Sequence, residues 1–180
     1  MSMIGIDKLN QSLADKRIES PSAILSFLNR SIKDALKQRT DASLSKDGMD
    51  IALCSYDRNK KLLRYAGANR PLWILRNKEI IEYKPTKASI GGYTPDEEIF
   101  EENAVQLLEN DSVYTFSDGF ADQFGGPNKK KFMSKQLRQL LIEHSDVPMS
   151  KQEALFEKIF NDWRGDIQQV DDVLLFGVKI

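Results

Sequence analysis

Val113-Tyr114-Thr115-Phe116-Ser117-Asp118-Gly119-Phe120-Ala121-Asp122 is an apolar strand that runs into a carboxylate and a glycine. A strand that stops at Ser-Asp-Gly carries its aspartate on the rim of the sheet, with Gly119 expected to let the backbone turn. Taken alone, Asp118 reads more simply as a turn residue. A second acidic pair, Asp171-Asp172, stands before the closing apolar run Val173 to Ile180, which reads as a strand buried on both faces. Burial of that strand would draw a carboxylate toward the interior, where it needs a cation.

Outward from these strand ends, the pattern alternates between strands and helices. Met3, Ile6, Leu9 and Leu13 have helical spacing within residues 1–13, with no capping residue ahead of them. Ser20-Pro21 is a helix start, and Ile24, Phe27, Leu28, Ser31, Ala35 and Leu36 then share a face. From Met49 the period changes to two. Strands at 49–56, 62–66, 72–75 and 79–83, separated by turn residues, read as an antiparallel meander. Residues 84–95 read as a loop, 98–107 as a weaker strand, and 131–144 and 151–163 as helices. Trp73 and Trp163 are expected in the core. The fold class is α+β, a sheet and helices in layers, in one domain spanning 1–180.

Composition narrows the function. Lys plus Arg number 26 against 27 Asp plus Glu, so no net field draws nucleic acid or anionic lipid to the whole surface. A single cysteine, Cys54, rules out a disulfide framework or thiolate zinc cluster, and points to a reducing, cytoplasmic setting. No apolar run reaches the roughly 20 residues of a membrane helix, which leaves open a parent protein anchored in a membrane. There is no phosphate-binding glycine loop with lysine. His144, at a helix end, reads as a surface or capping residue, so nucleophilic serine or cysteine chemistry lacks a base. Aspartates on separate strand ends do suit magnesium or manganese, which take oxygen ligands and keep several waters.

Five strings carry a resemblance: Asp47-Gly48-Met49-Asp50-Ile51-Ala52-Leu53-Cys54, Tyr65-Ala66-Gly67-Ala68-Asn69-Arg70-Pro71-Leu72, Ser89-Ile90-Gly91-Gly92, residues 114–126, and Gln169-Val170-Asp171-Asp172-Val173. In order and spacing the chain resembles the sporulation-protein-E (SpoIIE) branch of the metal-dependent PPM protein serine/threonine phosphatases. The resemblance implies a phosphatase 2C-like β-sandwich with flanking helices. It also implies that Asp118 and Asp171 are ligands of a dinuclear manganese or magnesium centre, with Asp122 at an accessory metal position. By the same resemblance Asp172 positions water, and Leu174 replaces a threonine common in relatives. Asp50 falls on a polar position of the first strand, where a solvent-facing role is equally open.

An aspartate motif ending in Gly-His-Gly, which in the family precedes a stretch similar to residues 1–5, is missing with its strands. The chain is therefore expected to be a partial domain that lacks its first strands. Two dications about 4 Å apart repel by roughly 17 kcal/mol at an effective dielectric near 20. Without the bridging aspartate, Asp118 and Asp171 are expected to hold at most one ion weakly, leaving the fragment inactive and its parent active. Uncovered edges are expected to favour a homodimer of the fragment. The resemblance further implies a phosphorylated protein substrate, a small anti-sigma-factor antagonist in bacterial signalling, and an upstream sensor domain. The alternative is a non-catalytic phosphatase-like module that binds a regulatory protein. Lys129-Lys130-Lys131 reads first as a solvated helix entry and second as a guide for an acidic or phosphorylated partner. Gly91-Gly92 and Gly125-Gly126 read as turns, or as flaps.

Overall fold

The computed structural model describes residues 2–15, 20–38 and 46–180. The first helix, α1, is Ser2–Ala14. Its buried face is not the expected stripe: Met3, Ile6 and Leu13 are exposed, while Gly5 and Ser12 are buried and Ile4 and Leu9 pack on the core. The small residues decide this. Gly5 admits the Met49 thioether, which would lie 3.2 Å from a Cβ there, and the Ser12 hydroxyl satisfies itself on the Leu9 carbonyl at 2.7 Å. In α2, Pro21–Ala35, the Ser20 hydroxyl accepts from the Ala23 amide at 3.2 Å and proline opens the helix. Ile24, Leu25, Leu28 and Ile32 are buried as its apolar face, and Asn29 and Lys33 lie buried among them; Ala35 is exposed.

These helices belong to a unit formed by Met1–Leu72 and Tyr83–Leu107. Its strands are β1 (Gly48–Met49), β2 (Ile51–Asp57), β3 (Leu62–Ala68), β6 (Ile90–Gly91) and β7 (Glu102–Gln106). They pair as a β2-β3-β7 sheet, antiparallel throughout, and as a short β1-β6 ladder, of which β6 falls within residues 84–95, expected to be all loop. Cys54 is exposed on the edge strand β2. The expected meander is broken after β3. Asn69, at φ 56°, and Arg70-Pro71 turn the chain out of this sheet, and the Tyr65 hydroxyl holds the exit by donating to the Arg70 carbonyl at 2.5 Å. The strands that follow, β4 (Leu72–Arg76) and β5 (Glu79–Tyr83), join a different sheet.

That second sheet runs β11-β8-β4-β5, with β8 at Ser112–Phe116 and β11 at Leu175–Lys179. It lies in the unit of Trp73–Glu82 and Leu108–Ile180. The unit also holds α3 (Gly119–Asp122), β9 (Phe124–Gly125), β10 (Lys130–Lys131), α4 (Met133–Glu143) and α5 (Met149–Arg164). Its core combines Trp73, Tyr114, Phe116, Phe120, Phe132, Leu137, Leu141, Phe156 and Phe160, with Phe120 edge-on to both Phe132 and Phe160 at 5.1 Å. Trp73 is buried as expected, and Trp163 is half-buried against the same cluster.

The closing strand departs from its sequence reading. Its apolar run does not make a strand buried on both faces: β11 is a sheet edge paired only with β8, leaving Phe176 56% and Val178 40% exposed. Asp171 and Asp172 are exposed as well, so burial is not what brings them to the site. At the far end of β8, buried Asp111 receives two hydrogen bonds from the Arg76 guanidinium, at 2.9 and 2.6 Å, and one from the Leu108 amide at 2.8 Å. Burial pushes this carboxyl up, but the Arg76 and Leu108 hydrogen bonds and the Arg76 charge outweigh it and leave it below its ordinary 3.8. A depressed carboxylate stabilises the fold above its unfolded-state value and loses that contribution as pH falls through the folded one. Asp111→Asn is therefore expected to cost about 3 kcal/mol at neutral pH. Its deficit against the parent should shrink below about pH 4, as followed by denaturant unfolding across pH.

Candidate functional site

Ser117 is the residue that joins the two acidic segments. Its amide donates to the Leu174 carbonyl at 2.9 Å, its hydroxyl donates to the Asp172 carbonyl at 2.8 Å, and that hydroxyl accepts from the Leu174 amide at 2.9 Å. Residues 55 positions apart in the chain are thereby held side by side at the end of β8. Gly119 completes the approach: a Cβ at this position would collide with the Asp172 carbonyl oxygen. Its φ is not among the positive ones, so the glycine serves closeness and not the turn expected from the sequence. Gly119→Ala should cost about 2 kcal/mol in thermal unfolding because the collision is with backbone, which cannot rotate away.

Asp118 is exposed and precedes α3, directly beside this junction. Asp171 is exposed too, and its Oδ1 accepts from the Asp172 amide at 2.7 Å, which fixes that carboxylate locally. Asp122, at the end of α3, already has a cation: Lys131 Nζ lies 3.1 Å from its Oδ1. Asp50 belongs to another cluster, in the first unit. There it accepts from the Ser89 hydroxyl at 2.7 Å and the Asn69 amide at 3.0 Å, with an Arg70 nitrogen at 3.3 Å. It is thus a pinning residue for the β3 exit and not a solvent-facing one. Among the described residues no three His, Cys, Asp or Glu side chains come together as a ready metal cage. Exposed carboxylates on two backbone segments joined at Ser117 do suit a hydrated, oxygen-loving divalent ion, which needs few protein ligands.

Two groups of polar residues escaped the sequence reading. Gln123 is fully buried; its amide nitrogen, Nε2, donates to the Phe124 and Gln168 carbonyls at 3.0 and 3.2 Å, and its Oε1 accepts from the Val170 amide at 3.3 Å. It therefore ties α3 to the segment that delivers Asp171. In the first unit, Asn29, Lys33 and Gln38 hold the glycine turn that follows Ser89. Gly91 and Gly92, at φ 80° and 61°, donate to Asn29 Oδ1 and Gln38 Oε1, each at 2.8 Å. This is a clamped turn and not a flap. A buried amide or ammonium gives no periodic signal, which is why apolar spacing passed over all four.

The strands, helices and their order are those of phosphatase 2C-like domains. The structure of the SiaA-PP2C domain of Pseudomonas aeruginosa superposes with a TM-score of 0.87 at 24% identity, over 99% of this chain and 68% of that one. The PP2C phosphatase domain of Bacillus subtilis SpoIIE, solved with a fragment of its regulatory domain, superposes with a TM-score of 0.69 at 20% identity, over 97% and 49%. The RsbU and RsbW domains of Rv1364c from Mycobacterium tuberculosis give a TM-score of 0.69 at 14% identity, over 97% and 46%. Against these last two the chain thus spans about half of the solved length. A search of curated proteins returns no match. The family model for stage II sporulation protein E (SpoIIE) matches residues 1–180, and the chain belongs to that family.

Proposed function

We propose that this chain belongs to a divalent-metal-dependent protein phosphatase acting on phosphoserine or phosphothreonine, with Asp118 and Asp171 as metal ligands and Asp122 as an accessory one. The observation that carries the reading is the junction at Ser117 and Gly119, where the Asp118 turn lies against the Asp172 backbone. Manganese or magnesium bound there would supply a water of lowered pKa and neutralise charge on the phosphoryl oxygens. The chain's own residues hold the ligands in place. Ser117 fixes the Asp172 carbonyl, the Asp172 amide orients the Asp171 carboxylate, and Gln123 anchors the approach through Val170. Lys131 offsets the Asp122 charge, so this acid engages a metal only by giving up that ion pair.

Two acids are too little charge for a stable metal pair, and a chain carrying the family's aspartate motif ending in Gly-His-Gly ahead of residue 1 would supply a third. The solved relatives include a SpoIIE phosphatase joined to part of its regulatory domain and a protein carrying both RsbU and RsbW domains. These support a regulatory setting, in which the family resemblance implies a phosphorylated anti-sigma-factor antagonist as substrate and a sensor domain as controller. The test is hydrolysis of a phosphoserine protein by the extended chain with and without Mn2+. Metal-dependent release of phosphate is expected. Tight binding of a phosphoprotein with no hydrolysis at any metal concentration would replace this reading with that of a non-catalytic binding module.

A further inference from the structure

Lys129-Lys130-Lys131 does not open a helix. Lys130 and Lys131 form the return strand of a hairpin, pairing with Gly125 and Phe124, and α4 starts only at Met133. Gly126 at φ 65° and Lys129 at φ 48° make the connection, and the Lys129 amide closes on the Gly126 carbonyl at 3.2 Å. The hairpin is braced from behind. The Gly126 amide donates to the Trp163 carbonyl at 2.7 Å, Trp163 Nε1 donates to the Gln123 carbonyl at 3.1 Å, and a Cβ on Gly125 would collide with the Trp163 backbone. Lys131 ties it to Asp122, on the helix that Asp118 precedes. Hairpin and candidate site are thus one braced assembly.

Lys129 and Lys130 are exposed and, among the described residues, form no ion pair. Between the strands and α5, Gly125, Pro127, Met133 and Trp163 line an apolar recess of about 400 Å³, with Lys130 and Lys131 also on its wall. That volume suits one large apolar side chain. A phosphate approaching a rim that carries Asp118, Asp122, Asp171 and Asp172 meets repulsion, and cations set beside the rim offset it.

We propose that the hairpin of residues 124–131 is the docking site for an acidic segment of the phosphorylated protein substrate, with one large apolar side chain of that segment seated over Trp163. The proposal rests on the phosphatase reading above. Lys130 on the wall of the concave apolar recess, with exposed Lys129 next to it in the hairpin, fits a short acidic peptide segment. A bilayer or nucleic-acid backbone calls for a wider basic field, and the chain carries a net charge of −1.

The test titrates the chain into a fluorescent phosphoserine peptide bearing flanking glutamates and one phenylalanine, followed by anisotropy. The double variant Lys129→Ala/Lys130→Ala is expected to bind about tenfold more weakly, and Lys129→Arg/Lys130→Arg to stay within about twofold. Binding should also weaken as ionic strength rises from about 0.05 to about 0.5 M. Unchanged affinity in the alanine pair overturns the proposal, as does lysine-dependent binding of phosphatidylserine vesicles in place of the peptide. Hydrolysis of p-nitrophenyl phosphate by the extended protein with Mn2+ separates the two levels. If it is present while peptide binding ignores the lysines, docking fails alone. If it is absent while lysine-dependent binding holds, a phosphoprotein-binding surface stands without the phosphatase.

Discussion

Asp118→Asn in the protein extended upstream is expected to lower Mn2+-dependent hydrolysis of a phosphoserine protein by on the order of 10³-fold in kcat, with the fold intact. Metal stabilisation of transition-state charge amounts to several kcal/mol, and about 1.4 kcal/mol is a factor of ten in rate. Asparagine keeps the size and the carbonyl oxygen but removes the charge that a hard dication requires. The side chain is exposed, so its loss does not empty the core. Asp171→Asn should behave alike, since its amide oxygen can still accept from the Asp172 amide now bonded at 2.7 Å. Asp122→Asn should cost much less, because its carboxylate already has the Lys131 ammonium as partner. A steady-state assay with metal titration checks all three. Wild-type rates for Asp118→Asn would remove this residue from the metal site, and loss in all three together with a lowered thermal midpoint would indicate misfolding.

How much of this was legible beforehand follows from what each residue does. Ser20-Pro21 announced its helix because capping is local chemistry, whereas the strand end before Ser117-Asp118-Gly119 was read correctly for a reason the structure does not share, since Asp118 makes no side-chain cap bond and Gly119 has no positive φ. The approach of the Ser117 turn to the segment after Asp171 left no sign in the residues themselves; its cause, the Ser117 hydroxyl bonded to residues 172 and 174, is non-local. Apolar patterning misled where an element lies at an edge or meets small residues. The run from Val173 to Ile180 reads as buried, yet β11 has β8 on one side only; the α1 stripe through Met3 and Ile6 reads as the core face, yet Gly5 and Ser12 make the closer contact. Periodicity registers hydrophobicity and not steric fit.

The same blindness hid the buried charge on α2, where a large loss of stability is expected. Lys33 Nζ lies 2.7 Å from Asp96 Oδ1 and donates to the Thr94 carbonyl at 2.8 Å, with the lysine side chain 11% exposed. One turn earlier, Asn29 donates to the Pro95 carbonyl at 2.7 Å and accepts from Gly91 at 2.8 Å, so one helix face holds both ends of the segment from 91 to 96. Lys33→Met keeps most of the apolar stem but strips the cation, removing the ion-pair partner at 2.7 Å from the Asp96 carboxylate and the donor to the Thr94 carbonyl. The expected cost is about 3 kcal/mol, a fall of roughly 6–12 °C in Tm for a chain of this size. Adding Asp96→Asn should recover much of it, because removing both charges of a largely buried pair costs less than removing one of them. Thermal unfolding of the two single variants and the double variant forms the cycle. A Lys33→Met Tm within about 1 °C of the parent would mean that water already solvates the pair and that Asn29 and Gln38 hold the glycine turn without it.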